Sequence, residues 1–307
     1  MGSVIDKTLL DLTLQGDPGT LETAEVMQNI KLMTPRQLYM LWERQQWAAQ
    51  DIDFTQDRAD WAAMSEMERD LRIYTLCAFF LGEERVTATF APYVLAAEDP
   101  NEEAFTSTQL VDEARHAIFF DRFFSEAIGF DKPDYQQRLD RAGKSLQPAF
   151  FELFDDKLQT TVDALRLTPD DTALKVRAIT IYHMVIEGTL ALTGQHFLIE
   201  NYTEQKILPG FVAGFENVAR DEHRHVAYGT WYLQQAVQRD RSMIKVIQDT
   251  LAETLPLAAN VLLPPPHITP ADIEKFSGRT LEEQHEYAFK SLSRRLKAIG
   301  VPLTGES

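Results

Sequence analysis

Two short stretches carry the same pair of side chains at the same spacing: Glu113-Ala-Arg-His116 and Glu222-His-Arg-His225. Residues three apart on a helix are neighbours on one face, so the carboxylate and the imidazole of each pair can reach one ion. Helix bundles that hold two iron or manganese ions use this pair twice and take one more Glu from each of two other helices. The copies stand 109 residues apart, and the repetition points to an all-α bundle with a dimetal site in its core.

The two further carboxylates can be sought on apolar helix faces. A buried, unpartnered carboxylate is costly, so a Glu centred on an apolar stripe needs a cation. Glu83 has Leu76, Phe79, Phe80, Val86 and Phe90 on its face, while Glu84 has Cys77, Leu81 and Ala88 and competes for the role. Glu187 is flanked by Met184 and Leu190, and Glu222 by Phe215, Val218 and Val226. His225 shares the stripe of Glu222, whereas His223 points about 200° away. Glu83 and Glu113 are 30 residues apart and Glu187 and Glu222 are 35 apart, spacings that antiparallel helices with turns at Asp99-Pro100 and Pro209-Gly210 bring to one height. Two half-sites result, each with Glu, Glu and His. Mixed oxygen and nitrogen ligation suits iron or manganese, and no thiolate is included.

The remaining pattern is helical. Periodicity predicts helices over about 36–50, 66–97, 102–128, 134–166, 171–201, 211–237, 241–258 and 280–298, with no convincing strand. Ser65 with Glu68 reads as a capping box, Asp51–Asp57 as a loop, and Pro264-Pro265-Pro266 as a stiff break. Three stretches follow: an irregular segment over 1–35, the metal-binding domain over 36–260, and a helix and frayed tail over 261–307. The Phe119-Phe120 and Phe123-Phe124 runs read as core, and His183, His196, His267 and His285 as surface or satisfied core histidines. A net charge of −17 over 307 residues argues against a nucleic-acid partner. Cys77 is the single cysteine, which suits a reducing cytoplasm. No signal peptide and no spanning stretch of about 18 apolar residues is expected.

These residues resemble the ferritin-like superfamily of ribonucleotide reductase small subunits. Trp47-Ala-Ala-Gln-Asp-Ile-Asp-Phe-Thr-Gln-Asp-Arg-Ala-Asp-Trp61 is similar to the stretch leading to that family's first ligand helix. Counting on from it selects Glu83 over Glu84. The resemblance also implies a hydrogen-bonded set of Trp47, Asp221 and His116 that orients the ligand imidazole. Three departures separate the chain from a reductase subunit: Glu83 stands where Asp is usual, Phe120 where most carry a radical-forming Tyr, and the tail Val301–Ser307 lacks a Tyr.

The chain more closely resembles the R2-like ligand-binding oxidases, through Gly82-Glu83-Glu84-Arg85-Val86 and through Tyr182 five residues before Glu187. That resemblance spans about residues 36–235. It implies manganese held by Glu83, Glu113 and His116, and iron held by Glu187, Glu222 and His225, with a diiron form as the alternative. It further implies reaction with O₂, a long-chain fatty acid with its carboxylate on the metals, an ether cross-link between Val86 and Tyr182, and a homodimer. In an α-helix residues five apart are offset by about 140°, so a π-type turn is expected between Tyr182 and Glu187. Rival readings are a reductase small subunit, a diiron N-oxygenase or desaturase, and a metal or lipid carrier without turnover.

Overall fold

The computed structural model describes residues 32–130 and 134–302. The expected irregularity of residues 1–31 and residues 303–307 of the tail expected to fray from Gly300 lie outside the described residues; Val301, against that expectation, is buried in the main core with its N–H bonded to the Leu296 carbonyl. Every regular element among the described residues is helical. In chain order these are α1 (Pro35–Arg44), α2 (Thr55–Ala63), α3 (Glu66–Thr89), α4 (Ala91–Leu95), α5 (Pro100–Phe123), α6 (Tyr135–Gly143), α7 (Pro148–Phe151), α8 (Gln159–Leu167), α9 (Thr172–Ile179), α10 (Leu192–Gln205), α11 (Pro209–Arg239), α12 (Met243–Val261), α13 (Pro270–Ser277) and α14 (Leu281–Ile299). Three π-helical stretches continue helices: Phe124–Ile128 after α5, Glu152–Leu158 between α7 and α8, and Thr180–Ala191 between α9 and α10.

The helix ends follow local chemistry. The Ser65 hydroxyl accepts from the Glu68 N–H while the Glu68 carboxylate accepts from the Ser65 N–H, so the capping box opens α3 as expected. Asp99 accepts from the Asn101 and Glu102 N–H groups at the start of α5, and Gly129 ends the following π turn at φ 79°. The first turn of α11 has no local side-chain cap. Asp57 supplies one from across the fold, accepting from Gly210 N (2.9 Å) and Phe211 N (2.6 Å). A Cβ on Gly210 would meet the Asp53 carbonyl oxygen at 2.2 Å, so only glycine permits this approach.

Several boundaries differ from expectation. Residues 55–57 open α2 in place of a loop, because Asp53 accepts from the Thr55 N–H and starts the turn. Helix α1 stops at Arg44, short of residue 50. The helix expected over 66–97 breaks at Phe90, just before Pro92, since proline has no N–H to continue the ladder. The one expected over 134–166 is interrupted before Pro148 for the same reason. Helix α13 was not anticipated; a capping box of Thr269 and Asp272 starts it.

Four long elements surround the centre: α3, α5, the 180–191 stretch with α10, and α11. Helix α3 packs on α5, and α11 packs on α5, α10 and the 180–191 stretch. Helix α14 lies against α11 and the same stretch, placing Leu292, Leu296 and Ile299 in the main core. Phe119, Phe120, Phe123 and Phe124 are all fully buried in ring-to-ring contacts. Close approach is enabled at two glycines of α11: a Cβ on Gly214 would meet the Phe119 ring at 2.1 Å, and one on Gly229 the His183 Cβ at 2.3 Å. Among the described residues no helix is long and apolar enough to cross a membrane.

Candidate metal centre

Six side chains from these elements converge. Ligand atoms of Glu83, Glu113, His116 and Glu222 lie within 4.8 Å of one another, as do those of Glu113, Glu187, Glu222 and His225. The two groups share Glu113 and Glu222. All six side chains are buried. His116 Nδ1 stands 3.5 Å from Glu83, 3.6 Å from Glu113 and 3.4 Å from Glu222. His225 Nδ1 stands 3.1 Å from Glu113, 3.3 Å from Glu187 and 3.5 Å from Glu222. Glu84 turns away, to a half-buried ion pair with Arg85 at 2.6 Å.

The unsatisfied atoms test whether metal ions suit this cluster. Buried polar atoms ordinarily find partners. Here Glu113 Oε2, Glu187 Oε2, Glu222 Oε2, His116 Nδ1 and His225 Nδ1 are buried without a hydrogen bond. All five point to one place, and all are metal-ligating atom types. The donor set therefore fits two ions.

Each imidazole is oriented from behind. His116 Nε2 lies 3.4 Å from Asp221 Oδ2, which also accepts from Trp47 Nε1 at 2.7 Å. A second set, which the sequence reading missed, repeats the arrangement: His225 Nε2 lies 3.2 Å from Asp112 Oδ2, and Trp42 Nε1 donates to Asp112 Oδ1 at 2.8 Å. Arg224, 1% exposed, spans both, donating to Asp112 at 2.8 Å and Asp221 at 2.7 Å. The signal was present: both ligand pairs extend to Asp-Glu-x-Arg-His, at Asp112–His116 and Asp221–His225. Such outer groups fix ring orientation and leave the other nitrogen for the ion.

Proton affinities reflect the crowding. Burial pushes the Glu83 carboxyl up to about 8, against the pull of His116. Burial and the neighbouring Glu222 also raise Glu187. Burial raises Glu113 as well, but the imidazoles of His225 and His116 outweigh it and hold the group below the usual range. Burial disfavours charge on His116 and His225, yet the surrounding carboxylates win and raise both. A dication at the same place would do the imidazolium protons' work and displace them.

The expected π turn is present: Tyr182 and Glu187 both lie within Thr180–Ala191. The Tyr182 hydroxyl donates to Glu113 Oε1 at 2.8 Å, and Gln109 Nε2 donates to Glu187 Oε1 at 3.1 Å. His183 is fully buried, its Nε2 3.2 Å from Gln109 Oε1, and burial keeps it neutral. His196 stacks on Tyr287 with ring centres 4.4 Å apart, while His267 and His285 are exposed. Val86, 5% exposed, borders a cavity of about 170 Å³ that also touches Glu83, Glu113, Glu187 and Glu222. It runs between α3 and the helix opposite, past Phe79, Leu190 and Phe197, to Arg72 and Tyr202.

The family model for the ribonucleotide reductase small chain matches residues 24–262. Among solved structures, a valine-to-isoleucine variant of an R2-like ligand-binding oxidase with anaerobically reconstituted Mn/Fe cofactor is 25% identical. It superposes with a TM-score of 0.73 over 87% of this chain and 93% of that one. The aerobically reconstituted form is 24% identical, with a TM-score of 0.76 over 87% and 94%. A tyrosine-to-phenylalanine variant, also with Mn/Fe cofactor, is 23% identical, with a TM-score of 0.76 over 88% and 94%. The chain thus belongs to the ribonucleotide reductase small-chain family and shares its ferritin-like helical fold with the R2-like ligand-binding oxidases.

Proposed function

We propose that the chain is an R2-like ligand-binding oxidase that uses a manganese/iron pair, O₂ and a long-chain aliphatic acid. Glu83, Glu113 and His116 hold manganese; Glu187, Glu222 and His225 hold iron. The observation that carries the reading is the convergence of orphaned ligand atoms beside a Tyr hydroxyl and an apolar cavity. The bound ions supply two-electron oxidation by O₂. The rest is the work of the protein. Four carboxylates offset the charge of two ions and Asp112 and Asp221 hold the imidazoles. Gln109 fixes Glu187, and Phe79, Phe120 and Phe215 pack ring to ring one turn from Glu83.

Tyr182 and Val86 flank this cluster and are the proposed cross-linking pair. Their net reaction loses the Val86 Cβ–H and the Tyr182 O–H hydrogens and forms one Cβ–O bond, the two electrons going to O₂. The Tyr182 proton already rests on a hydrogen bond to Glu113, which gives it an acceptor. The test is peptide mass spectrometry on metal-free chain loaded with manganese and iron, before and after air. Fused peptides carrying Val86 and Tyr182, two hydrogens lighter, are expected. Full metal occupancy and O₂ consumption with no mass change would refute the cross-link. Restored ribonucleotide reduction on mixing with a large subunit would favour the reductase reading, against which Phe120 stands where a radical-forming Tyr is usual.

A further inference from the structure

Three buried tyrosines donate phenolic hydrogen bonds to carboxylates: Tyr182 to Glu113, Tyr228 to Glu102 and Tyr232 to Glu98. The proposed cross-link uses only the first. Tyr228 stands one turn beyond His225 on α11 and Tyr232 one turn further. Each lies 2.5 Å from its carboxylate oxygen. Lys175, itself buried, is the counter-ion of Glu102 at 2.8 Å, and its Nζ stands 4.2 Å from the centre of the Tyr232 ring. Glu98 reaches the surface, where it pairs with Arg239. Side-chain contacts join these pairs to the metal cluster. Gln109 donates to Glu187 on one side and meets His183 Nε2 on the other. The His183 ring lies 4.6 Å from that of Tyr182 and 5.3 Å from that of Tyr228, centre to centre, and the rings of Tyr228 and Tyr232 are 6.4 Å apart.

A buried phenol gives up an electron readily only if its proton leaves with it, because the cation otherwise formed would be stranded in an apolar medium. Burial and Glu102 raise the Tyr228 phenol well above its ordinary value, and burial and Glu98 do the same for Tyr232. Each therefore keeps its proton until oxidised, and each has an acceptor already hydrogen-bonded to the phenolic oxygen. Tyr93 packs beside Tyr182 but donates to the Ala178 carbonyl, a poor proton acceptor, and does not meet that requirement. Electron tunnelling also falls steeply with distance, and here the rings follow one another in near contact. We propose that Tyr228 and Tyr232 form a one-electron route between the metal cluster and the surface at Glu98. Tyr228 gives an electron to the oxidised cluster through His183 and its proton to Glu102. Tyr232 then gives an electron to Tyr228, which takes its proton back from Glu102, while the Tyr232 proton crosses to Glu98. A soluble one-electron reductant restores Tyr232, and Glu98 returns the proton. Each proton moves out and back, so one electron crosses per passage. The route rests on the proposed oxidase reading for its oxidant; the step between Tyr232 and Tyr228 stands without it.

The test uses the full chain loaded with manganese and iron, with metal content and O₂ consumption measured separately. Tyr182→Phe removes the cross-link as an outlet for oxidising equivalents. Freeze-quench electron paramagnetic resonance after air, with ring-deuterated tyrosine to identify the radical, is expected to show a tyrosyl signal in this variant. Adding Tyr228→Phe should remove most of that signal. Adding Tyr232→Phe should keep it and prolong its life against ascorbate. A second arm needs no metal. Gln238, exposed on α11, lies six residues beyond Tyr232, about 9 Å along the axis. A ruthenium polypyridyl photo-oxidant attached to Gln238→Cys, the native Cys77 being buried, should generate a tyrosyl radical on flash oxidation of the metal-free chain. Tyr232→Phe should remove most of it, and Tyr228→Phe should change the spectrum of the trapped radical. Radicals that ignore Tyr228→Phe in both arms, or O₂ consumption by Tyr182→Phe without any tyrosyl radical, would overturn the proposal. A merely structural network would lower the melting temperature of these variants and leave the radicals unmoved. If Tyr228→Phe fails to fold, Tyr232→Phe decides in both arms. A chain that takes up no metal would sink the oxidase reading, while the photo-oxidant still judges the step between the two tyrosines.

Discussion

The two halves of the cluster use the same set of three residues, two Glu and one His, but stand on different helices. Glu83, Glu113 and His116 come from regular α3 and α5, whereas Glu187 comes from the twelve-residue π stretch. Two threonines show the difference in pitch. On α3 the Thr87 hydroxyl donates to the carbonyl four residues back, at Glu83; on the π stretch Thr189 donates five back, to Met184. Residues five apart stack there, which brings Tyr182 and Glu187 to one side. A Cβ on Gly188 would meet the His183 carbonyl oxygen at 2.6 Å, so the wider turn depends on glycine. The regular half serves as scaffold, and the irregular half extends Tyr182 across to Glu113 of the other. Local departure from ideal geometry marks where the chemistry is proposed.

The comparison breaks most completely at the shared ligands. Because Glu113 and Glu222 belong to both groups, Glu113→Ala or Glu222→Ala should abolish binding of both metals, whereas Glu83→Ala or Glu187→Ala should spare one. Elemental analysis of reconstituted protein decides; equal losses in all four would show that the halves are not separate sites. Next come the orienting carboxylates. Asp221→Asn should weaken the half with His116, and Asp112→Asn the half with His225, each by about 10–100-fold in metal affinity. Competition with a chelator measures this, and no change in either would remove the orienting role.

A pH series sharpens the contrast between Glu83 and Glu113. In the metal-free fold Glu83 keeps its proton up to about 8, well above its ordinary 4.5, so metal must displace it. Affinity should rise by about tenfold or more per pH unit as pH approaches 8 from below, since Glu187, His116 and His225, all raised as well, must also give up protons to the metals. The same shift means that the metal-free fold binds more protons than the unfolded chain between those values. Its stability from this group therefore falls as pH rises through that window, which thermal melts with and without Glu83→Gln can test. The smallest effect belongs to Tyr182→Phe, which removes the hydrogen bond to Glu113. It should cost about 1 kcal/mol of stability and leave both metals bound while eliminating the cross-link; loss of metal would make Tyr182 a structural support instead.

What the sequence disclosed follows from which forces act locally. Ligand pairs three apart and stripe-centred carboxylates are local to one helix, and the structure brings all six together. The π turn at Tyr182 was legible through the resemblance, but those at Phe124–Ile128 and Glu152–Leu158 were not, since nothing in residue type announces an extra residue per turn. The Asp57 cap on α11 crosses more than 150 residues of sequence, and no local pattern signals it. Trp42 and Asp112 escaped notice for a different reason. Each is an unremarkable residue until its counterpart at Trp47 and Asp221 is seen in space.

Arg224 carries a consequence for how this site can change. One buried guanidinium answers to Asp112 and to Asp221, so neutralising either carboxylate leaves the same cation half-served. Removing both carboxylates leaves it no counter-ion among the described residues, only the neutral Gln45 oxygen, and the double variant should lose more than the two single variants together. The two halves are thus bound epistatically: a lineage cannot retune one imidazole without altering the setting of the other. Drift in either copy of the Asp-Glu-x-Arg-His motif is therefore constrained by the partner copy, and the twofold pattern resists divergence from within.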